Sequence, residues 1–111
     1  MDPAEDLLRR LALNDEKALS KVLTRRGGRE DDMDLTPKVE RLVQLAAFLA
    51  VGAGLPLVRD TVGQASAQGA TTNEIIDVLV AVGPVVGVTG LVASASRLAM
   101  AMGYDLEDGH Q

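Results

Sequence analysis

The chain has 111 residues, enough for one hydrophobic core and too few for a second domain of ordinary size. It has no cysteine, and its one histidine, His110, is the penultimate residue, read as a solvated tail. That composition excludes thiolate chemistry, a disulfide framework and a cysteine metal site, and it fits a reducing, cytoplasmic setting. The formal net charge of −5 opposes nucleic-acid phosphates, and with Phe48 and Tyr104 as the only aromatics there is no stacking platform for bases.

The opening Met1 to Asp6 is acidic where a secretory signal would be basic and then apolar, so no signal is expected. Asp2-Pro3 reads as an N-cap followed by proline at the first helical position, with Leu7, Leu8, Leu11 and Ala12 on one face, which predicts a helix to about residue 13. Asn14 is the expected cap of a second short helix, from Asp15 to Thr24, closed by Gly27-Gly28. Arg25, Arg26 and Arg29 are followed at once by Glu30, Asp31 and Asp32, so residues 27–35 read as a mixed-charge linker.

Thr36-Pro37 repeats the cap-plus-proline signal, and Val39, Leu42, Val43, Leu45, Ala46 and Leu49 supply an apolar face up to Gly52 and Gly54. A helix from about Leu55 to Gln68 is closed by Gly69. Thr71-Thr72-Asn73-Glu74 is a capping box, in which the Thr71 hydroxyl and the Glu74 carboxylate satisfy two otherwise orphan backbone N–H groups. The helix it opens contains Gly83-Pro84, where a kink or break is expected because proline removes a helical hydrogen bond. A last helix, about Val88 to Met102, ends at Gly103. No strand alternation is sustained, so the fold class is all-α: an N-terminal helical extension and linker (1–34), a helical domain (35–104) and an acidic tail (105–111).

Between Leu42 and Tyr104 the only charged residues are Arg59, Asp60, Glu74, Asp77 and Arg97, of 27 in the chain. A unit of about sixty residues buries roughly 60 % of its unfolded surface and cannot hide so much Val, Leu and Ala alone. The N-terminal helices cover part of the excess, and a symmetric homo-oligomer is the ordinary way to cover the rest. The uncharged run Val78 to Ser96 also has the length for a bilayer span, so a two-span membrane hairpin is the less favoured alternative. Its glycines, its proline and the Gly83-to-Gly87 small-residue spacing favour close packing in a bundle instead, with no membrane partner.

Three segments resemble the carboxymuconolactone decarboxylase and alkylhydroperoxidase D-like (AhpD-like) family: Pro37 to Ala47 (PKVERLVQLAA), Ala65 to Leu79 (ASAQGATTNEIIDVL), and Val86-Gly87 before a small-residue helix. The resemblance covers about residues 35–103, and its most specific piece is the turn Gly69 to Ile76. It implies an all-helical domain, here with two extra N-terminal helices, that assembles as a trimer or hexamer. The peroxidase branch has Cys-x-x-Cys with a histidine four residues on. These positions fall on Gly54, Leu57 and Thr61, or on Ala53, Pro56 and Asp60 if the register slips by one. Neither register contains a thiol, so peroxidase chemistry is not expected. The family's helix-borne glutamate falls on Arg41, with Glu40 beside it. The decarboxylase branch, which uses a glutamate and a histidine on a lactone acid, is also incompletely matched.

Two functional readings stand. The chain is a non-thiol oligomeric module that binds a small molecule or serves a structural role. Alternatively, it is a decarboxylase or proton-transfer enzyme acting on a small organic acid or lactone, with Asp60 as general base, Arg59 as carboxylate clamp and the Thr61 hydroxyl as a substrate contact. For each of the three the plainer reading is an ordinary helix residue facing solvent or paired with a neighbour. Arg97, alone on an apolar helix, is expected to meet Asp77 or Glu74, within the chain or across a subunit boundary, and Met100 and Met102 read as core. No spacing suits a metal, and no cofactor is expected.

Overall fold

The structure, a computed structural model, describes residues 2–25 and 33–106. Five helices follow one another: α1 (Pro3–Ala12), α2 (Glu16–Leu23), α3 (Pro37–Val51), α4 (Leu55–Ala67) and α5 (Thr72–Ala101). The described residues contain no strand, and the all-α reading holds. Gly27-Gly28, most of the charged linker and His110 lie outside the described residues, as does the acidic tail beyond Leu106.

The chain divides into two compact units, Met1–Asp31 and Asp32–Gln111. In the first, Asp2 and Glu5 close a capping box on α1, with the Glu5 amide 2.8 Å from the Asp2 carboxylate. The cap of α2 is Asp15, not Asn14: the Asp15 carboxylate accepts the amides of Lys17 and Ala18, and Asn14 takes the left-handed turn before it, at φ 61°. Asparagine is one of the few residues that tolerates that conformation, so the chain uses it for the turn and the aspartate for the cap. Arg10 on α1 reaches the Asp15 carboxylate at 3.2 Å, tying the two short helices together.

In the second unit α3, α4 and α5 pack pairwise around Leu45, Leu49, Val58, Val62, Ile75 and Leu98. Thr36 caps α3 by accepting the Val39 amide, with Pro37 at the first helical position. Gly52 ends it in the left-handed conformation, at φ 75°. The Thr71–Glu74 capping box opens α5 as expected.

α5 is not one rod. Gly87 leaves the helical region at φ 80°, ψ 177°, a conformation essentially confined to glycine, and the residues on either side form two arms, 72–86 and 88–101. A Cβ built on Gly83 would lie 3.3 Å from the Leu91 side chain. Residues eight apart in a continuous helix stand about 12 Å apart along the axis, so the second arm folds back on the first. The same reversal brings Ile75 and Leu98 into one core, where a straight helix would separate them by about 35 Å. The turn is tight: a Cβ on Gly90 would come within 2.9 Å of the Val86 Cβ.

The break therefore falls three residues beyond the expected Gly83-Pro84 site. Pro84 forfeits one hydrogen bond and stays within the helix, whereas the reversal needs a residue without a Cβ. Gly87→Ala is expected to destabilise the fold by about 1–3 kcal/mol, all of it conformational, since a Cβ there would meet nothing within 4 Å. Gly63→Ala, at an open position inside α4, is expected to stabilise it by about 0.5–1 kcal/mol. Urea unfolding followed by circular dichroism measures both.

Candidate functional site

The α3–α4 turn and the first two turns of α4 carry the window singled out in the sequence. Gly54 caps α4 without a side-chain bond, and Pro56 sits in its first turn. Arg59 and Asp60 are both exposed, and the Asp60 carboxylate accepts the side-chain amide of Gln64, one turn on, at 3.0 Å. Thr61 points the other way. It is 3 % exposed, and its hydroxyl donates to the Leu57 carbonyl at 2.8 Å. The helix phase that buries Val58, Thr61, Val62 and Ala65 turns Arg59 and Asp60 out to the opposite face. The three candidates thus do not converge on one point, and the Thr61 oxygen is engaged with its own helix.

On α3, the guanidinium of Arg41 donates to Gln44 at 2.8 Å. Glu40 beside it is buried, at 7 % exposure, the only ionisable residue so classed among the described residues. It lies in the first turn of α3, where a negative charge complements the helix dipole. No local pattern signals this burial, because position 40 is off the stripe that carries Leu45 and Leu49.

Two longer-range polar contacts set the alignment of the helices. Ser94 Oγ, buried on the second arm of α5, donates to the Leu49 carbonyl near the end of α3 at 2.9 Å. Lys38 Nζ, in the first turn of α3, meets Glu74 Oε2, in the first turn of α5, at 3.1 Å. The first turns of α3 and of the first arm therefore meet, and the end of α3 lies beside the middle of the second arm. Glu74, one of the two carboxylates expected for Arg97, is taken by Lys38. Arg97 itself is half-buried, and its Nη1 is enclosed without a hydrogen-bond partner.

No protein-family model matches the chain, and no curated protein and no solved structure matches it either.

The Glu74 carboxyl is held below its ordinary value of 4.5, first by the Thr71 backbone amide and then by the Lys38 ammonium. A carboxylate whose pKa falls on folding adds stability above its unfolded value, and that stability is lost as the pH drops through the folded value. Glu74→Gln keeps the capping geometry and removes the charge. Its unfolding midpoint in urea is expected to lie below that of the wild type at pH 7, and the gap is expected to close as the pH is taken well below 4.5.

Proposed function

We propose that this chain is a self-assembling, thiol-free helical module of the AhpD-like type, with a binding or structural role in the cytoplasm rather than redox turnover. The observation that carries the reading is the unpartnered apolar surface around the α5 reversal, where Val80, Val85, Val88 and Val92 are 64–80 % exposed. Val51, at the end of α3, is likewise exposed, at 78 %. A valine moved fully from water into a packed interface contributes about 1.5 kcal/mol or more, and so many exposed valines on one uncharged segment favour a protein contact there.

Helix length favours a protein partner over a lipid one. α5 is long and apolar enough to cross a membrane by length and composition. Its arms, however, have 15 and 14 residues and measure about 22 Å each, short of the roughly 30 Å hydrocarbon core.

The proton-transfer alternative is less well supported. A general base works best where water is excluded and the substrate is held, and Asp60 and Arg59 stand on an open helix face. The expected outcome in light scattering after size exclusion is a mass that is a whole multiple of 11.7 kDa, with no consumption of hydroperoxide in the presence of a dithiol donor. A monomer at all concentrations up to millimolar would overturn the proposal. So would turnover of a small lactone acid that is abolished by Asp60→Asn in a folded chain.

A further inference from the structure

We infer that the apolar face of the α5 hairpin is covered by a second copy of this chain, set parallel to the first, with Arg97 of each copy paired to Asp77 of its neighbour. The inference rests on the self-assembly proposed above and names its interface.

The argument starts from the pattern of charge about Gly87. Nineteen consecutive residues, 78–96, are uncharged, and Gly87 is the middle one. Asp77 and Arg97 stand ten residues before and ten residues after it. Because the chain reverses at Gly87, the two charges lie at the same level of the hairpin, about 15 Å from the turn. Opposite charges at one level of two adjacent arms invite an ion pair within the chain, yet none forms: Arg97 has no hydrogen-bond or salt-bridge partner among the described residues, and neither has Asp77.

Helix phase explains the failure. Asp77 shares an exposed stripe with Val80, Ala81 and Pro84, at spacings of three, four and seven, and so points outward along the valine face. Arg97 lies at the edge of the corresponding stripe of the second arm, beside exposed Ala93 and Met100, with Nη1 already shielded from water. A guanidinium N–H enclosed without an acceptor is costly, so the site is incomplete as it stands in one chain.

A second copy completes it. The apolar stretches of two hairpins cover each other, and a copy running parallel brings its Asp77 to the level of the first chain's Arg97. An antiparallel copy would set each Arg97 against the neighbour's uncharged tip, burying the charge among valines. The axis of a closed assembly therefore runs along the helices, with the Gly87 turns at one end. The carboxylate accepts from the enclosed Nη1 while the valines pack, so the ion pair sets orientation and the valines supply most of the driving force.

The test uses the full chain and three preparations: Asp77→Arg, Arg97→Asp, and an equal mixture of the two. Each variant places like charges across every parallel contact, and each is expected to fall to monomer mass in light scattering at a concentration where the wild type is assembled. The mixture is expected to regain assembly, because every contact between unlike chains again joins an acid to a base. A fourth preparation, the double variant Asp77→Arg/Arg97→Asp, is the control: if it regains mass while the mixture forms no mixed assembly at all, the pair acts within the chain and the inference is overturned.

Asp77→Asn and Arg97→Gln carry no repulsion and serve if a charge reversal does not fold. Each is expected to raise the dissociation constant about tenfold, and an unchanged constant overturns the pairing. An assembled wild type whose mass ignores all these changes refutes this interface while leaving self-assembly standing. A monomeric wild type refutes both.

Discussion

A single backbone conformation, φ 80° and ψ 177° at Gly87, turns the longest apolar segment of this protein back on itself. Without it, the thirty residues of α5 would extend about 45 Å, and the packing that defines the second unit would have no counterpart. The reversal places Ile75 and Leu98 in the same core as Leu45, Leu49 and Val58. It also delivers Ser94 to the Leu49 carbonyl, a buried side-chain hydrogen bond that joins the second arm to α3. Gly83 and Gly90 then allow the close approach: Leu91 rests where a Cβ on Gly83 would crowd it, and Val86 rests against Gly90. The fold thus depends less on any strong attraction than on three small residues that let two apolar arms meet.

The reversal also sorts charge. Lys38, Glu40, Arg41, Glu74 and Asp77 lie in the opening turns of α3 and α5, whereas the turns at Gly52–Gly54 and Gly87 are lined by valine, alanine and proline. The Lys38–Glu74 pair is partly exposed and joins two helix starts, so its role is to hold alignment more than to add stability. Around Gly87 the chain carries no charge, and the valines there remain exposed in one chain. An acidic protein with an uncharged end and a half-buried, unpaired arginine has its interaction surface set out by charge pattern as much as by hydrophobicity.

Local signals in the sequence were legible wherever a backbone group needed a partner. Asp2, Thr36 and the Thr71–Glu74 box each start a helix where a short polar side chain can reach an orphan amide, and Gly52 and Gly69 take the left-handed turns that follow α3 and α4. Asn14 and Asp15 were harder to separate, since both residue types cap helices and only one of two neighbours can do so. The α5 reversal was misplaced because proline is the stronger local breaker, whereas tertiary contact selects the residue that can adopt a Gly-only conformation. The window 53–61 was legible as a helix start but not as a site. Whether Arg59, Asp60 and Thr61 converge depends on helix phase, and the burial of Val58 and Val62 points Thr61 inward and the other two outward. The burial of Glu40 and the isolation of Arg97 follow from packing between elements distant in sequence, which no local pattern records.

The most direct test of this account is the distance between the ends of α5. The chain has no cysteine, so Asn73→Cys together with Met100→Cys provides two unique positions for spin labels, both exposed. Adjacent antiparallel arms place helix axes about 10 Å apart, so a pulsed electron-resonance measurement under conditions that isolate one chain is expected to give a single distribution centred near 20–25 Å once label length is included. A distribution centred near 40 Å, the length of a continuous helix between these positions, would contradict the reversal at Gly87 and with it the core, the charge sorting and the proposed interface.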